Sequence, residues 1–293
     1  MELRQLDHFV AVAEEGSFTR AAKRMNIVQS GLSMSIRSLE DELGTKLFAR
    51  GTKGVALTPA GESMLAEARR AIAAVRAVRD AVDATEGLKR GNLAVGLAQY
   101  SLGDQLPNLL TRFHAEYPAV CIKAAQGKPS ELLAQVAAEA IDLVICGKPQ
   151  DVPAGVTTIQ LARAPYVLAC ANDHPIASRR RVSLADVAGE RFIELHPGWV
   201  TRQMTDQAFA LAGISRNVVC EVDDVYLRLK MVEGGLGVAI LPKLKIAGAD
   251  AVTYVPLAAS LPEWQLVAAY SGTEPANPAA RVFLAMATRE WLG

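Results

Sequence analysis

The chain has 293 residues, 51% of them hydrophobic, with 31 basic and 31 acidic side chains, so it can bury the cores of two or more domains and carries no net charge. No apolar run approaches the ~18–20 residues of a membrane span, and the start MELRQLDHFV lacks the basic n-region and apolar core of a signal peptide, so a soluble cytoplasmic protein is expected. Cys121, Cys146, Cys170 and Cys220 lie far apart without CxxC spacing, which argues against a structural zinc site or a disulfide framework; no metal or cofactor is expected.

Leu3 to Glu14 sets Leu6, Phe9, Val10 and Ala13 on one face of a first helix, where His8 reads as a packing or surface residue. Ser17 suits an N-cap, and Phe18 to Met25 can follow it as a short helix. Asn26 to Val28 is a poor helix segment and reads as a tight turn. In the next helix Leu32, Ile36, Leu39 and Leu43, at spacings of four, three and four, form one apolar stripe that the small pair Ala21 and Ala22 lets the preceding helix approach. Gln29, Ser33 and Arg37 occupy a neighbouring face with Ser30 and Met34 beside them. This is the build of a helix-turn-helix, whose second helix fits the major groove and pairs Gln with adenine edges and Arg with guanine or phosphate. The plain alternative is a three-helix bundle whose polar face meets only water. Charge distribution favours nucleic acid: residues 17–53 hold seven Lys or Arg (Arg20, Lys23, Arg24, Arg37, Lys46, Arg50, Lys53) against three acids (Glu40, Asp41, Glu42), an excess of four.

LFARGTKGVALT then predicts two short strands joined by Gly51-Thr52-Lys53-Gly54, a small wing from which Arg50 and Lys53 reach phosphates or the minor groove, a solvated turn being the alternative. Taken together, AAKRMNIVQSGLSMSIRSLEDELGTKLFAR and VALTPAG resemble the N-terminal domain of LysR-type transcriptional regulators. The resemblance is carried by Ala21, Ala22, Gln29, Leu32, Ser33, Ile36, Leu39, Glu40, Leu43, Gly44, Leu47, Phe48, Arg50, Leu57, Thr58, Ala60 and Gly61. Three departures stand out: Val28 where a Ser often caps the recognition helix, Ser30-Gly31 for a common Pro-Ala, and Met34 for a frequent Arg. Double-stranded DNA is the partner the resemblance implies, with contact to RNA polymerase.

Pro59 to Glu86 is rich in Ala, Glu and Arg and predicts a long helix with Leu65, Ala68, Ile72, Val75 and Val82 on heptad-like positions. That seam either packs on the chain's own body or pairs two subunits. In the resembled family it is the dimerising linker helix, with Leu65, Ile72, Val75 and Val82 in the seam, which sets two recognition helices about 34–36 Å apart in a dimer or tetramer. From Asn92 strand and helix alternate: LAVGL, LPNLLTRFHAEYP, VCIKAA, SELLAQVAAEA, DLVIC, then YVLACA, FIEL, TRQMTDQAFALAG, VVCEV, DDVYLRLKMVEGG, LGVAILP and a last helix RVFLAMATREWL. Such alternation implies an α/β domain with a mostly parallel sheet. GNLAVGL, IDLVICG and GGLGVAILP resemble the family's effector domain, which is similar to periplasmic binding proteins in having two α/β lobes joined by crossover strands. Those crossovers are expected near Ile159–Tyr166 and Gln265–Tyr270. The expected division is therefore 1–58 winged helix-turn-helix, 59–90 linker helix and 91–293 effector domain, with lobe I at 91–161 and 268–293 and lobe II at 162–267.

Ligand sites in parallel sheets open at strand carboxyl ends, beside helix N-termini that favour anions. That rule selects Gln99, Tyr100 and Ser101 after the first strand and Lys128, Pro129 and Ser130 before the second helix. It also selects Lys148 after the third strand, and His196, Trp199, Thr201 and Arg202 at a later helix start. The family resemblance implies a small organic or aromatic acid between the lobes. Lys148 and Arg202 would neutralise its carboxylate, Gln99 and Ser101 would donate hydrogen bonds, and Trp199 would pack on its apolar part. The plain alternatives are a solvated Lys148, an N-capping Ser130 and a core Trp199. Cys121, Cys146 and Cys220 lie within apolar strand runs and Cys170 at the end of one, so they read as small buried hydrophobes. Residues 192–215, where the resemblance would put a peroxide-sensing cysteine, have none. No GxSxG, HExxH or P-loop occurs and the histidines His8, His114, His174 and His196 are unclustered, so catalysis is not expected.

Overall fold

The structure, a computed structural model, describes residues 1–51, 54–85, 90–98, 105–243, 251–258 and 261–292. Lys53, Gln99, Tyr100 and Ser101, and the side chains of Arg50 and Val82, lie outside the described residues. The chain divides into two compact units, the first within residues 1–85 and the second formed by the later part of the chain.

In the first unit α1 (Leu3–Glu15), α2 (Phe18–Arg24) and α3 (Gln29–Leu43) are followed by the antiparallel hairpin of β1 (Phe48–Gly51) and β2 (Gly54–Leu57), then by α4 (Pro59–Thr85). Ser17 caps α2, its Oγ accepting from the Arg20 amide at 3.4 Å. The core is Leu6, Phe9, Val12, Ala21, Ala22, Leu32, Ile36, Leu39 and Leu47. Leu43, expected on that stripe, is exposed: α3 ends at Gly44, whose φ of 68° turns the chain away before Leu43 meets a partner. The segment LTPAG explains itself locally. Thr58 Oγ1 accepts from the Gly61 amide at 3.1 Å and donates to the Lys46 carbonyl at 2.6 Å, and Pro59 opens the helix where its missing N–H costs nothing. A side chain at Gly61 would collide with the Leu47 carbonyl oxygen, so only glycine lets α4 start against the wing. Along α4 the heptad stripe is split. Ala68 and Ile72 are buried in this unit's own core and Leu65 packs against it, whereas Val75 and Val78 are exposed.

The second unit runs β3 (Gly91–Leu97), α5 (Gln105–Glu116), β4 (Val120–Gln126), α6 (Pro129–Ala137), β5 (Leu143–Gly147), β6 (Val156–Ala164), β7 (Tyr166–Ala171), β8 (Arg191–Glu194), α7 (Val200–Leu211), β9 (Asn217–Glu221), α8 (Val225–Glu233), β10 (Ala239–Pro242), β11 (Val252–Pro256), β12 (Trp264–Ser271) and α9 (Pro278–Leu292). Lobe I is the sheet β4-β3-β5-β12-β6, with β3 parallel to β4 and β5, and β12 antiparallel to β5 and β6. In lobe II, β10-β7-β11 form one sheet and β8-β9 pair in parallel; the parallel bridge between Phe192 and Val238 joins the two sets. The last helix returns to lobe I, where Phe283 meets Phe113 edge-on at 5.5 Å. The central strands β5 and β7 are buried throughout, although the sheets are not the mostly parallel ones expected: β5 lies in a mixed sheet and β7 is antiparallel to both β10 and β11.

Register fixes the direction in which both lobes open. The chain leaves lobe I at Ala164 and enters lobe II at Tyr166, then returns between Pro256 and Trp264. Ala164 pairs with Trp264, and Gly147 at the carboxyl end of β5 pairs with Leu266, so β3, β4 and β5 end on the crossover side. Tyr166 pairs with Pro242, and β8 and β9 run parallel to β10, so they too end on the crossover side.

Cys146 and Cys170 are buried, and burial pushes the Cys146 thiol up to about 12 and raises that of Cys170, with Glu190 adding to it. Cys121 departs from its reading as a buried thiol: β4 is an edge strand and Cys121 is exposed on it. Among the described residues no helix is long and apolar enough to cross a membrane, and no cluster of His, Cys, Asp and Glu is arranged to hold a metal ion.

Candidate DNA interface and effector cleft

The DNA-facing candidates begin with α3, which buries Leu32, Ile36 and Leu39 and turns Gln29, Ser30, Met34 and Arg37 to solvent; Ser33 is half-buried. Met34 is 72% exposed. Neither Gln29 nor Arg37 has a side-chain hydrogen bond or ion pair among the described residues, so both heads are available. Val28 starts α3 without a side-chain cap, as its identity requires.

Two buried polar contacts fix this helix. His8 Nδ1 lies 2.8 Å from Ser35 Oγ, and burial, aided by Arg4 against Asp7, lowers the imidazole below its ordinary value, so it is a neutral strut between α1 and α3. Glu40, near the end of α3, accepts from the Leu47 amide at 2.9 Å, the Phe48 amide at 3.4 Å and Lys46 Nζ at 2.7 Å. Burial pushes its carboxyl up, but Lys46 and the two amides outweigh this and hold it below the ordinary value. One carboxylate thus sets the register between recognition helix and wing. Sequence reading matched Glu40 to a motif without finding this role; the signal was an acid inside an otherwise apolar helix face.

In the second unit, Lys128 precedes α6, and its carbonyl accepts from the Leu132 amide at 3.0 Å. Ser130 is exposed inside the first turn, so it is not the N-cap. Lys148 directly follows β5, its amide donating to the Gln265 carbonyl at 2.8 Å. Neither lysine's ammonium has an ion-pair partner among the described residues. Beside them Trp264 is buried with its indole against Gly147, where any side chain would clash with the ring.

Lobe II brings together residues the sequence left separate. Trp199 is buried and caps the start of α7, and its Nε1 donates to Asp223 Oδ1 at 2.6 Å. His196 donates to the same oxygen from Nδ1 at 2.9 Å and from its amide at 3.3 Å. Burial pushes the Asp223 carboxyl up, and the bonds from Trp199 and His196 more than offset this, leaving it below the ordinary value. Asp223 was missed in sequence because it adjoins Asp224, which is the helix cap, accepting from the Leu227 amide at 2.6 Å. Two consecutive acids at a strand end needed two jobs.

Arg202 is held within its own lobe. Its Nε donates to Asp206 at 2.9 and 3.0 Å, and its Nη1 to Glu221 and to the Leu195 carbonyl, each at 2.7 Å. It belongs to a chain of charges through lobe II. Asp206 also pairs with Arg216, Arg216 Nε meets Glu194 Oε1 at 3.0 Å, and Arg228 Nη2 donates to Glu194 Oε2 at 3.0 Å while its Nε donates to the Ile193 carbonyl at 2.7 Å. Three arginines balance three carboxylates. Thr201 is almost fully buried in the first turn of α7.

Comparison with known proteins bears on both regions. Residues 3–62 match the lysR family of bacterial regulatory helix-turn-helix proteins, and residues 86–292 match the LysR substrate binding domain. The HTH-type transcriptional regulator ShiR of Corynebacterium glutamicum (strain R) is 36% identical over 243 residues, 82% of each chain. A full-length OxyR from Pseudomonas aeruginosa superposes with a TM-score of 0.76 at 25% identity, over 99% of this chain and 94% of that one. The effector binding domain of QuiR in complex with shikimate shares the fold, with a TM-score of 0.61 at 21% identity, over 69% of this chain and 98% of that one. The chain belongs to the LysR family: it is a DNA-binding transcriptional regulator with an effector-binding domain, not an enzyme.

Proposed function

We propose that this LysR-type regulator reads duplex DNA through Gln29, Ser30, Ser33, Met34 and Arg37, with Arg50 and Lys53 as further contacts, and is switched by an organic acid held between its lobes. The observation that carries the acid is the pair Lys128 and Lys148, at carboxyl ends on the crossover side of lobe I with no ion-pair partner among the described residues. Two ammonium groups without counter-charges beside a helix N-terminus form an anion site. Arg202 is left out of that role because Asp206 and Glu221 already neutralise it. Trp199 lines the wall through its hydrogen bond to Asp223.

Subunits pair through the exposed face of α4, where Val75 and Val78 continue the stripe that Ala68 and Ile72 begin inside the unit's own core. The acid shifts operator spacing only to the extent that it binds one arrangement of the dimer better than another.

A thermal-shift screen of the full-length protein against small organic acids, shikimate among them because the QuiR domain holds it, tests the reading. At least one acid should raise Tm by mass action, and Lys128→Ala and Lys148→Ala should each remove the shift. If no acid moves Tm in a protein that still binds its operator, the organic-acid reading fails.

A further inference from the structure

We propose that lobe II reads hydroxyl groups, so that the effector is a hydroxylated carboxylic acid bound with its carboxylate toward lobe I. The inference rests on the acid cleft proposed above and adds the chemistry of its second wall. Asp223 Oδ1 already receives the Trp199 indole N–H, the His196 imidazole Nδ1 and the His196 amide. Asp223 Oδ2 and His196 Nε2 have no partner among the described residues, and the two side chains are 45% and 47% exposed. Asp223 Oδ2 is an acceptor fixed beside the His196 ring nitrogen, and a hydroxyl can donate to the one while pairing with the other, which a carboxylate cannot.

The charges around them decide the orientation. On the crossover side of lobe II, Asp223 is ionised, Glu221 ends β9 two residues before it, and the cation Arg202 is fully engaged by Asp206 and Glu221. A carboxylate is repelled from this wall and drawn to Lys128 and Lys148 opposite. Hydroxyl donors fit better than an ammonium group. The Asp223 charge is already shared among three donors, and the Trp199 indole beside it is buried with its N–H edge rather than its face toward the acid. A site built to pair substrate hydroxyls discriminates strongly against the analogue lacking them, because its own acceptors are then left unpaired.

Isothermal titration of the full-length protein with two matched series tests this. One is succinate, malate, tartrate and aspartate; the other is benzoate, 3,4-dihydroxybenzoate and 4-aminobenzoate. In at least one series the hydroxylated acid should bind about tenfold or more tighter than its parent. Asp223→Asn, which keeps shape and one acceptor, should bring that ratio close to one, and His196→Gln supplies the same readout should the first variant fold poorly. Equal affinities within each series, or tightest binding by the amino member, overturn the hydroxyl reading and leave the carboxylate cleft standing. Failure of every acid in both series, parents included, removes the cleft reading as well.

Discussion

Glu40 and Glu194 are both buried glutamates facing cations, and they behave in opposite ways. Glu40 lies at the rim of the small DNA-binding unit, with two backbone amides on one oxygen and Lys46, 66% exposed, on the other, and its carboxyl is held below the ordinary value. Glu194 is fully buried in lobe II between Arg228 and Arg216; burial raises its carboxyl, and the arginines oppose this. For Glu40 desolvation is the largest single influence, but the two amide donors and a solvated counter-charge together outweigh it. A buried ion pair must recover the solvation of both partners. The small unit therefore uses its acid to fix one local turn, whereas the effector domain needs a balanced chain of six charges to fix α7 and α8 against β8 and β9.

The largest expected effect tests that difference. Arg228→Ala leaves Glu194 with one of its two buried partners and removes a donor from the Ile193 carbonyl; it should destabilise the effector domain by roughly 3–5 kcal/mol, measured by urea unfolding of the full chain. A loss under about 1 kcal/mol would place the pair among inconsequential surface contacts and end the contrast. Glu40→Ala should cost roughly 1.5–3 kcal/mol and weaken operator binding through the displaced wing, measured by melting and by titration with DNA. The pH dependences differ in sign. Glu40, depressed when folded, contributes fully above its ordinary value of 4.5 and loses that contribution as pH falls from there through its folded value. Glu194, raised when folded, contributes most below 4.5 and loses it as pH rises through its folded value. Hydrogen exchange on acidification should open residues 40–48 before residues 191–194; the reverse order refutes the assignment of signs.

Smaller effects sharpen the reading of α3. Gln29→Ala should cost about 1–2 kcal/mol toward the specific operator and little toward unrelated DNA, while Arg37→Ala, if it meets phosphate, should flatten the salt dependence of both. Val28→Ser should stabilise the DNA-binding unit by about 0.5–1 kcal/mol, because α3 starts with no side-chain cap; an unchanged melting temperature would show that water serves those amides equally well.

Much of this was legible residue by residue. Ser17, the stripe from Leu32 to Leu39 and the wing are local features, set by periodicity and by side chains bonding within a few positions. The strand and helix alternation after Asn92 was legible for the same reason. Leu43 was not, since its exposure depends on where the chain goes after Gly44. The split of the α4 stripe was not either: a heptad pattern records which face is apolar, not whether α1 or a second subunit covers it.

Candidate cleft residues followed from one topological rule, and the structure places Lys128 and Lys148 just after β4 and β5, and His196 and Trp199 between β8 and α7. The order of the chain determined which groups follow which strands. Tertiary structure alone decided which of them are available. Arg202 is neutralised by Asp206, one turn away on α7, and by Glu221 from β9, and Asp223 comes beside His196 and Trp199 because β8 and β9 are neighbours. Spacing along the chain fixes a residue's element and face, but charge pairing across elements depends on distances in space, and those exist only once the sheet has formed.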